Sequence, residues 1–446
     1  MIKHTNNLNN PKTIKAWCMY DWANSVYNLV ISSAIFPIYY TAVTTQKDIT
    51  GKVISDTVTI FGTHFKNTVL TNYTLSLSFL LVCFLSPILS GIADTKGNKK
   101  AFLKFFCYLG ASACAGLFFF TNNPESLIIG IVCIFFASLG FWSSLVFYNS
   151  FLPEITDSEN MDKVSAKGFS YGYIGSSTLL IICLIFIQLL AEQMGIKPDL
   201  ATRICFVLVS LWWIFFAQIL FKNVPEIKKT HVKKSVWSGF HELRKVFKQV
   251  IENKSIKIYL TSFFFYSMGV QTIMLVAAYF GSKLLGLPSG KLIPVILVIQ
   301  FVGIAGSYLF SFISKKLGNK NAISIALVIW IVICLGAYYV AELKTEIGFY
   351  ILAFMVGTVM GGIQSLSRST FSKLIPENTI DTASFFSFYD ITEKLSMVIG
   401  LFIFAFVEQH SSGMQNSVIA LAIFFIIGFV LLRPLKDKRL YYQHPI

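Results

Sequence analysis

Charge is what this chain has least of. Only 13% of its 446 residues are Asp, Glu, Lys or Arg, against 55% hydrophobic and 15% aromatic. A soluble globular chain carries about 25% charged residues. One buried domain does not account for the deficit. It fits a chain whose main solvent is lipid, where a charge at the bilayer centre costs at least ~2.5 kcal/mol. Other absences narrow the class. No Gly-x-x-x-x-Gly-Lys-Ser/Thr loop is present, which argues against ATP-driven transport by this polypeptide alone. The histidines (His4, His64, His231, His241, His410 and His444) fall in loops, tails or at a helix end. None pairs with metal-ligand spacing, and no Gly-x-Ser-x-Gly elbow occurs, so neither a metal, a cofactor nor an enzyme is expected. The cysteines (Cys18, Cys83, Cys107, Cys114, Cys133, Cys183, Cys205 and Cys334) sit in apolar stretches and read as small buried hydrophobes without a disulfide framework. The polar start of the chain is not followed by a short apolar core with a cleavage site, so the first apolar run is expected to remain as an anchor.

What is present is a series of apolar runs, each long enough to cross about 30 Å of hydrocarbon. They fall near 17–43, 68–92, 102–121, 126–151, 168–191, 203–221, 258–281, 292–314, 321–341, 346–367, 384–407 and 414–433. The expected fold is therefore all-α and integral to the membrane, with twelve transmembrane helices, the first tilted or kinked at Pro37. If the spans alternate with the N-terminus in the cytoplasm, 28 of the 37 Lys and Arg fall on the cytoplasmic side and eight outside, with Lys394 inside a helix. That is the positive-inside bias, so the +15 formal charge reports topology and no nucleic-acid partner. The compact chain and its short basic C-terminus (Arg433, Lys436, Lys438, Arg439) point to a bacterial inner (cytoplasmic) membrane with both ends cytoplasmic.

Most connections are short, which makes consecutive helices antiparallel neighbours. Residues 44–67 form a longer external loop, and residues 222–257 a cytoplasmic linker holding ten of the Lys and Arg. Within it Val236, Phe240, Leu243, Phe247, Val250 and Ile251 have near-helical spacing opposite Arg244, Lys245 and Lys248. That pattern suits a helix on the membrane surface or a plain inter-domain helix. The linker divides the chain into an N-terminal six-helix unit (1–221) and a C-terminal one (258–446). The halves echo each other. Ser90-Gly91-Ile92-Ala93-Asp94-Thr95-Lys96-Gly97-Asn98-Lys99 returns as Ser311-Phe312-Ile313-Ser314-Lys315-Lys316-Leu317-Gly318-Asn319-Lys320, at an offset of 221. Leu152-Pro153-Glu154 returns as Ile375-Pro376-Glu377, at an offset of 223. Two echoes at nearly one offset argue for a duplicated unit, as in carriers that rock two bundles around a midplane site.

Ser90 to Lys100, between spans 2 and 3, resembles the signature loop of the major facilitator superfamily. Over nearly the whole chain the sequence is similar to the vacuole-effluxer-like (autophagy-related amino-acid effluxer) branch of that superfamily. The matching residues are Tyr20-Asp21-Trp22-Ala23-Asn24-Ser25, Tyr148-Asn149, Gly172-Tyr173-Ile174-Gly175, Gln364-Ser365-Leu366-Ser367-Arg368, and Phe385-Phe386 through Tyr389-Asp390 to Lys394. The resemblance implies a secondary or facilitative carrier of a small polar solute, with amino-acid efflux as the candidate activity. The proton is the candidate coupling ion, and a monomer in the lipid bilayer is expected. The alternative is a transport-inactive facilitator fold serving as a sensor or scaffold. Before Gly269 the family pattern has an Asn-Asp pair where this chain has Ser267-Met268, and that bears on coupling.

Three groups of residues are candidates for the chemistry. Asp21, Asn24, Ser25, Asn28 and Ser32 recur at three- and four-residue steps, one polar stripe on an apolar helix, which lines a cavity or hydrogen-bonds a neighbouring span. Gln271, Gln300 and Gln364 are weaker candidates for the same cavity. Asp390, Glu393 and Lys394 stand in span 11. At about 1.5 Å per residue Asp390 lies ~9 Å and Lys394 ~15 Å along that span, where charges face a bundle interior or water. Asp390 and Lys394 share a helix face and form either a structural ion pair or a solute and proton site. Ser90, Gly91, Asp94, Gly97, Lys99 and Lys100 make a candidate gating loop, with Asp94 able to face the N-terminus of span 11, an anion-favouring place. Gly168, Gly172 and Gly175, and Gly357 with Gly361, put small residues on one helix face and permit close packing.

Overall fold

The computed structural model describes residues 8–48, 53–60, 62–226, 236–286, 289–376, 379, 381–410 and 414–435. Glu377 and the basic residues Lys436, Lys438 and Arg439 lie outside that set. Span 1 is Pro11–Thr44, span 2 Asn67–Lys96, span 3 Lys99–Gly116, span 4 Leu127–Ser150, span 5 Met161–Gln193 and span 6 Pro198–Asn223. A linker helix, Val236–Glu252, follows. Span 7 is Lys254–Leu285, span 8 Ser289–Leu317, span 9 Asn319–Leu343, span 10 Glu346–Leu374, span 11 Thr382–His410 and span 12 Met414–Leu432.

Eleven of these helices, among the described residues, are long and apolar enough to cross a membrane on composition alone. The exception is span 11, the span whose interior holds Asp390, Glu393 and Lys394. Several helices begin before the apolar runs do: span 5 at Met161 and span 6 at Pro198. An apolar run measures the hydrocarbon slab, whereas a helix continues until its terminal N–H and C=O groups find partners. Asn10 and Asn253 do this alike, each side chain accepting two N–H groups at the starts of spans 1 and 7. Gly97 ends span 2 in the left-handed region (φ +63°), where a Cβ would be strained.

The packing is duplicated pair for pair. In the first bundle span 1 packs on spans 5 and 6, span 2 on span 4, and span 3 on spans 4 and 6. In the second, span 7 packs on 11 and 12, span 8 on 10, and span 9 on 10 and 12. Contacts between bundles repeat too: span 2 meets 11 as span 8 meets 5, and span 4 meets 11 as span 10 meets 5. Two hydrophobic cores result, each centred in one bundle, with Ala383 joining the first and Val146 and Tyr173 the second across the interface. Glycines allow the closest approaches: a Cβ on Gly361 would strike the Gly303 carbonyl, and one on Gly306 the Thr358 carbonyl.

Span 1 widens into a π-helix over Tyr27–Ile35, immediately before Pro37. Proline supplies no N–H to the preceding turn, and the wider turn re-pairs the carbonyls there; the Ser33 hydroxyl adds a bond to the Asn28 carbonyl at 2.8 Å. The loop after span 1 forms two antiparallel hairpins, β1 (Gln46–Lys47) with β2 (Val53–Ser55) and β3 (Thr57–Ile60) with β4 (Thr63–Lys66). These mark one face of the molecule, the hairpin face; the linker helix marks the other, the linker face. The linker helix packs against span 2. It turns Val246 and Val250 inward and leaves Phe247 and Ile251 about half exposed, so its buried side is rotated from the one its spacing suggests. Val236, Phe240 and Leu243 lie outside the described side chains.

Candidate functional site

Between the bundles lies a cavity of about 1060 Å³. It reaches the hairpin-face ends of spans 1, 2 and 11 at Thr41, Thr68 and Glu408, and comes no nearer the linker face than Asp21, Asn149 and Arg368. The molecule is thus open at the hairpin face and closed at the linker face. Asp21, Asn24, Ser25, Asn28 and Ser32 all stand on the wall, as do Gln271, Gln300 and Gln364. Counted from the first residues of spans 1 and 7, Pro11 and Lys254, Asn24 corresponds to Ser267 and Asn28 to Gln271. The Asn24 Nδ2 and Ser267 Oγ atoms are buried without a hydrogen-bond partner among the described residues.

The floor of the cavity is an ion pair between bundles. Arg368 of span 10 donates to Asp21 Oδ2 of span 1 at 3.2 Å, to Asn149 Oδ1 at 3.3 Å, and to the hydroxyl and carbonyl of Ser165 at 3.0 and 2.9 Å. Its guanidinium lies 4.2 Å from the Phe169 ring centre and 4.7 Å from that of Trp17, a cation–π setting. Tyr148 donates to the same Asp21 oxygen at 2.7 Å. Arg368 belongs to the matched family segment, but as a helix-end arginine it reads like an ordinary interfacial charge, and sequence reasoning did not select it.

A second charged group sits on span 11. Lys394 Nζ lies 2.9 Å from Glu393 Oε2, 3.2 Å from Asp390 Oδ1, and 3.7 Å from the centre of the Trp142 ring. Gln271 donates to Glu393 Oε1 at 3.1 Å, and Ser86 of span 2 to Asp390 Oδ2 at 3.4 Å. Glu393 lines the cavity; Asp390 and Lys394 do not. Lys394 is wholly buried, and the position expected to face the cavity is moved by one residue, about 100° around the helix. The cause is packing: the Lys394 face of span 11 is covered by Trp142 and the span 2 interface.

The linker face is closed by two clusters. In the first, Asp94 Oδ2 accepts from the Ser384 amide and hydroxyl, both at 2.7 Å, and Oδ1 from the Ala383 amide at 3.3 Å. The carboxylate thus receives the free N–H groups and positive dipole end of span 11. Beside it Lys99 is ion-paired with Glu154 and donates to Thr382 Oγ1 at 2.7 Å. Lys100 turns away: its backbone amide donates to Glu226 and its ammonium to the Val224 carbonyl, both at the start of the linker. Ser90 is buried, its hydroxyl bonded to the Pro87 carbonyl of its own helix, and Gly91 and Gly97 shape the end of span 2. The second cluster centres on Asp162, in the first turn of span 5. It accepts from Lys373 at 2.6 Å, Asn319 at 2.8 Å and Ser314 at 2.9 Å, all from the C-terminal half. Asp162 escaped sequence reasoning because a first-turn acid is common at any helix start.

Two duplicated six-helix bundles around a central cavity, open at one face and sealed at the other, define a multi-pass major facilitator transporter of a small-molecule solute. The chain belongs to the Atg22-like branch of that superfamily: the family model described as "Vacuole effluxer Atg22 like" matches residues 9–440. It is 32% identical over 425 residues to the MFS-type transporter YxiO of Bacillus subtilis (strain 168), covering 94% of each chain. It is 23% identical to autophagy-related protein 22-1 of Emericella nidulans, over 93% of this chain and 88% of that one. Among solved structures, the major facilitator transporter FucP in the outward conformation superposes with a TM-score of 0.67 at 12% identity, covering 96% of this chain and 99% of that chain.

Proposed function

We propose that the protein moves amino acids across a bacterial cytoplasmic membrane by alternating access, in the direction of export. The observation that carries this reading is the polar stripe of span 1. Its residues face one cavity with the equivalent polar residues of span 7, and Asn24 and Ser267 hold buried polar atoms without partners. A zwitterion would satisfy such groups, whereas a sensor or scaffold would gain nothing by leaving them unmet. The similarity to effluxers of the Atg22 type supports amino acids as the cargo. The linker face is taken as the cytoplasmic one on the positive-inside rule, which assigns 28 of the 37 Lys and Arg to the segments outside the spans on that side. One chain encloses the whole cavity, so a monomer suffices. The proton is the candidate coupling ion. With Met268 in place of the family's acidic residue, its carriers would be Asp21, Asp390 or Glu393.

The test is counterflow into proteoliposomes preloaded with unlabelled amino acids. A labelled mixture should accumulate transiently with the native chain and fail to accumulate with Asn24→Leu, which removes the amide and crowds the wall. Absence of accumulation by folded native protein would reject amino acids as the cargo.

A further inference from the structure

Among the described residues, the charged ones lining the cavity are Asp21, Arg368, Glu393 and Glu408: three acids, one base, and neither lysine nor histidine. Asp21 is engaged by Arg368 and Tyr148, and Glu408 stands at the mouth. Glu393 is therefore the anion set within the chamber. Its two oxygens are held from behind and from the side by Lys394 and Gln271. The Lys394 ammonium is closed off entirely, while the Glu393 side chain keeps 18% exposure. The lysine fixes the carboxylate without covering its cavity side.

We propose that Glu393 receives the ammonium group of the solute, and that Lys394 is a resident counter-ion shared between Glu393 and Asp390. The proposal rests on the amino-acid reading for its cargo but makes its own claim about the ammonium. When a second cation docks on Glu393, repulsion between the two ammonium groups favours Asp390, which already lies 3.2 Å from Lys394. Asp390 is also the acceptor for Ser86 of span 2. On that helix Ser86, Ser90 and Asp94 are spaced four residues apart, all buried, which places them along one face. On span 11 the Asp94 partner, Ser384, lies six residues before Asp390. Occupancy of Glu393 thus bears on the same pair of helices that Asp94 fastens at the linker face.

Trp142, under the Lys394 ammonium at 3.7 Å, provides a reporter. The experiment is a fluorescence titration of the full chain in nanodiscs, with the Trp142→Phe protein subtracted as background. Two probes divide the amino acid between them. Leucine methyl ester carries the ammonium without the carboxylate, and N-acetyl-leucine the carboxylate without the ammonium. The ester should change the Trp142 signal, and N-acetyl-leucine should not displace it. Glu393→Gln should weaken ester binding by about tenfold or more, the scale of a hydrogen bond to a charged group. Glu393→Asp, which keeps the charge, should restore most of it. Ester affinity unchanged in Glu393→Gln, or full competition by N-acetyl-leucine, would overturn the proposal. Leucine counterflow decides the cargo separately: leucine moved with Glu393→Gln indifferent to the ester removes this subsite and leaves the amino-acid reading. Ester binding lost in Glu393→Gln without leucine counterflow keeps an amine site and removes that reading.

Discussion

The Arg368 side chain lies 3.2 Å from Asp21, and among the described residues every hydrogen bond and ring contact of its guanidinium is to the opposite bundle: Asp21, Asn149, Ser165, Trp17, Tyr148 and Phe169. One side chain of span 10 is thereby inserted into the first bundle, between the cavity and the closed face.

Arg368→Lys should leave a folded chain that moves solute about tenfold more slowly or worse. Lysine keeps the charge, but its single ammonium cannot bond Asp21, Asn149 and Ser165 together while lying flat on two rings. Counterflow rate and melting temperature, measured on one preparation, check this. A native rate would show that the planar fork is dispensable.

Asp94→Asn should loosen the linker face. The carboxylate accepts three hydrogen bonds from the start of span 11, and a charge at a helix N-terminus contributes about 0.3–2 kcal/mol. Spin labels at Glu159 and Lys316, both exposed on that face, should show a greater share of long distances by electron–electron resonance. An unaltered distribution would count against a latch at Asp94.

Asp162→Asn should act on the same distances, because Lys373 would lose its carboxylate partner and keep only neutral ones such as Asn319. Combined with Asp94→Asn, the two effects should add in free energy, since the clusters join different pairs of helices and share no side chain. A double variant no more open than either single one would indicate one indivisible lock.

Gly361→Ala should lower the melting temperature, since its Cβ would meet the Gly303 backbone. Overpacking of this kind costs about 1–3 kcal/mol. Gly195→Ala is the contrasting control: no atom lies within 4 Å of its Cβ, and the penalty there comes from its φ of +68° alone. A smaller loss at Gly361 than at Gly195 would argue against close packing of spans 8 and 10.

Much of the fold was legible because lipid enforces a simple code. Hydrocarbon thickness sets the run length, and Gly97 and Gly318 announce the duplicated turns. The orientation of side chains around each helix was less legible. Asp390 and Lys394 share a helix face with the right spacing, yet Glu393 faces the cavity, since rotation about a helix axis is decided by neighbours such as Trp142. Arg368 and Asp162 were hidden for another reason. Each lies near a helix end, where charge is expected anyway, and only the approach of the opposite bundle gives it a partner. The span 1 stripe was readable because its polar residues contradict an otherwise apolar helix.

The distribution of partners across the closed face bears on how the chain is made. Asp21, Asp94 and Asp162 all belong to the half synthesised first, and the groups from Arg368, Ser384 and Lys373 that bond them all belong to the half synthesised last. The first six helices therefore enter the bilayer with three carboxylates whose cationic or helix-end partners come later: Tyr148 is already present for Asp21, but Arg368, Ser384 and the Ser314, Asn319 and Lys373 set arrive only with spans 8 to 11. In two copies of the first half, Asp94 of one would meet the start of span 5 of the other, where Asp162 stands, acid against acid. Biogenesis consequently favours one pairing, first half with second, since only the second half brings Arg368, Ser384 and Lys373 to these carboxylates.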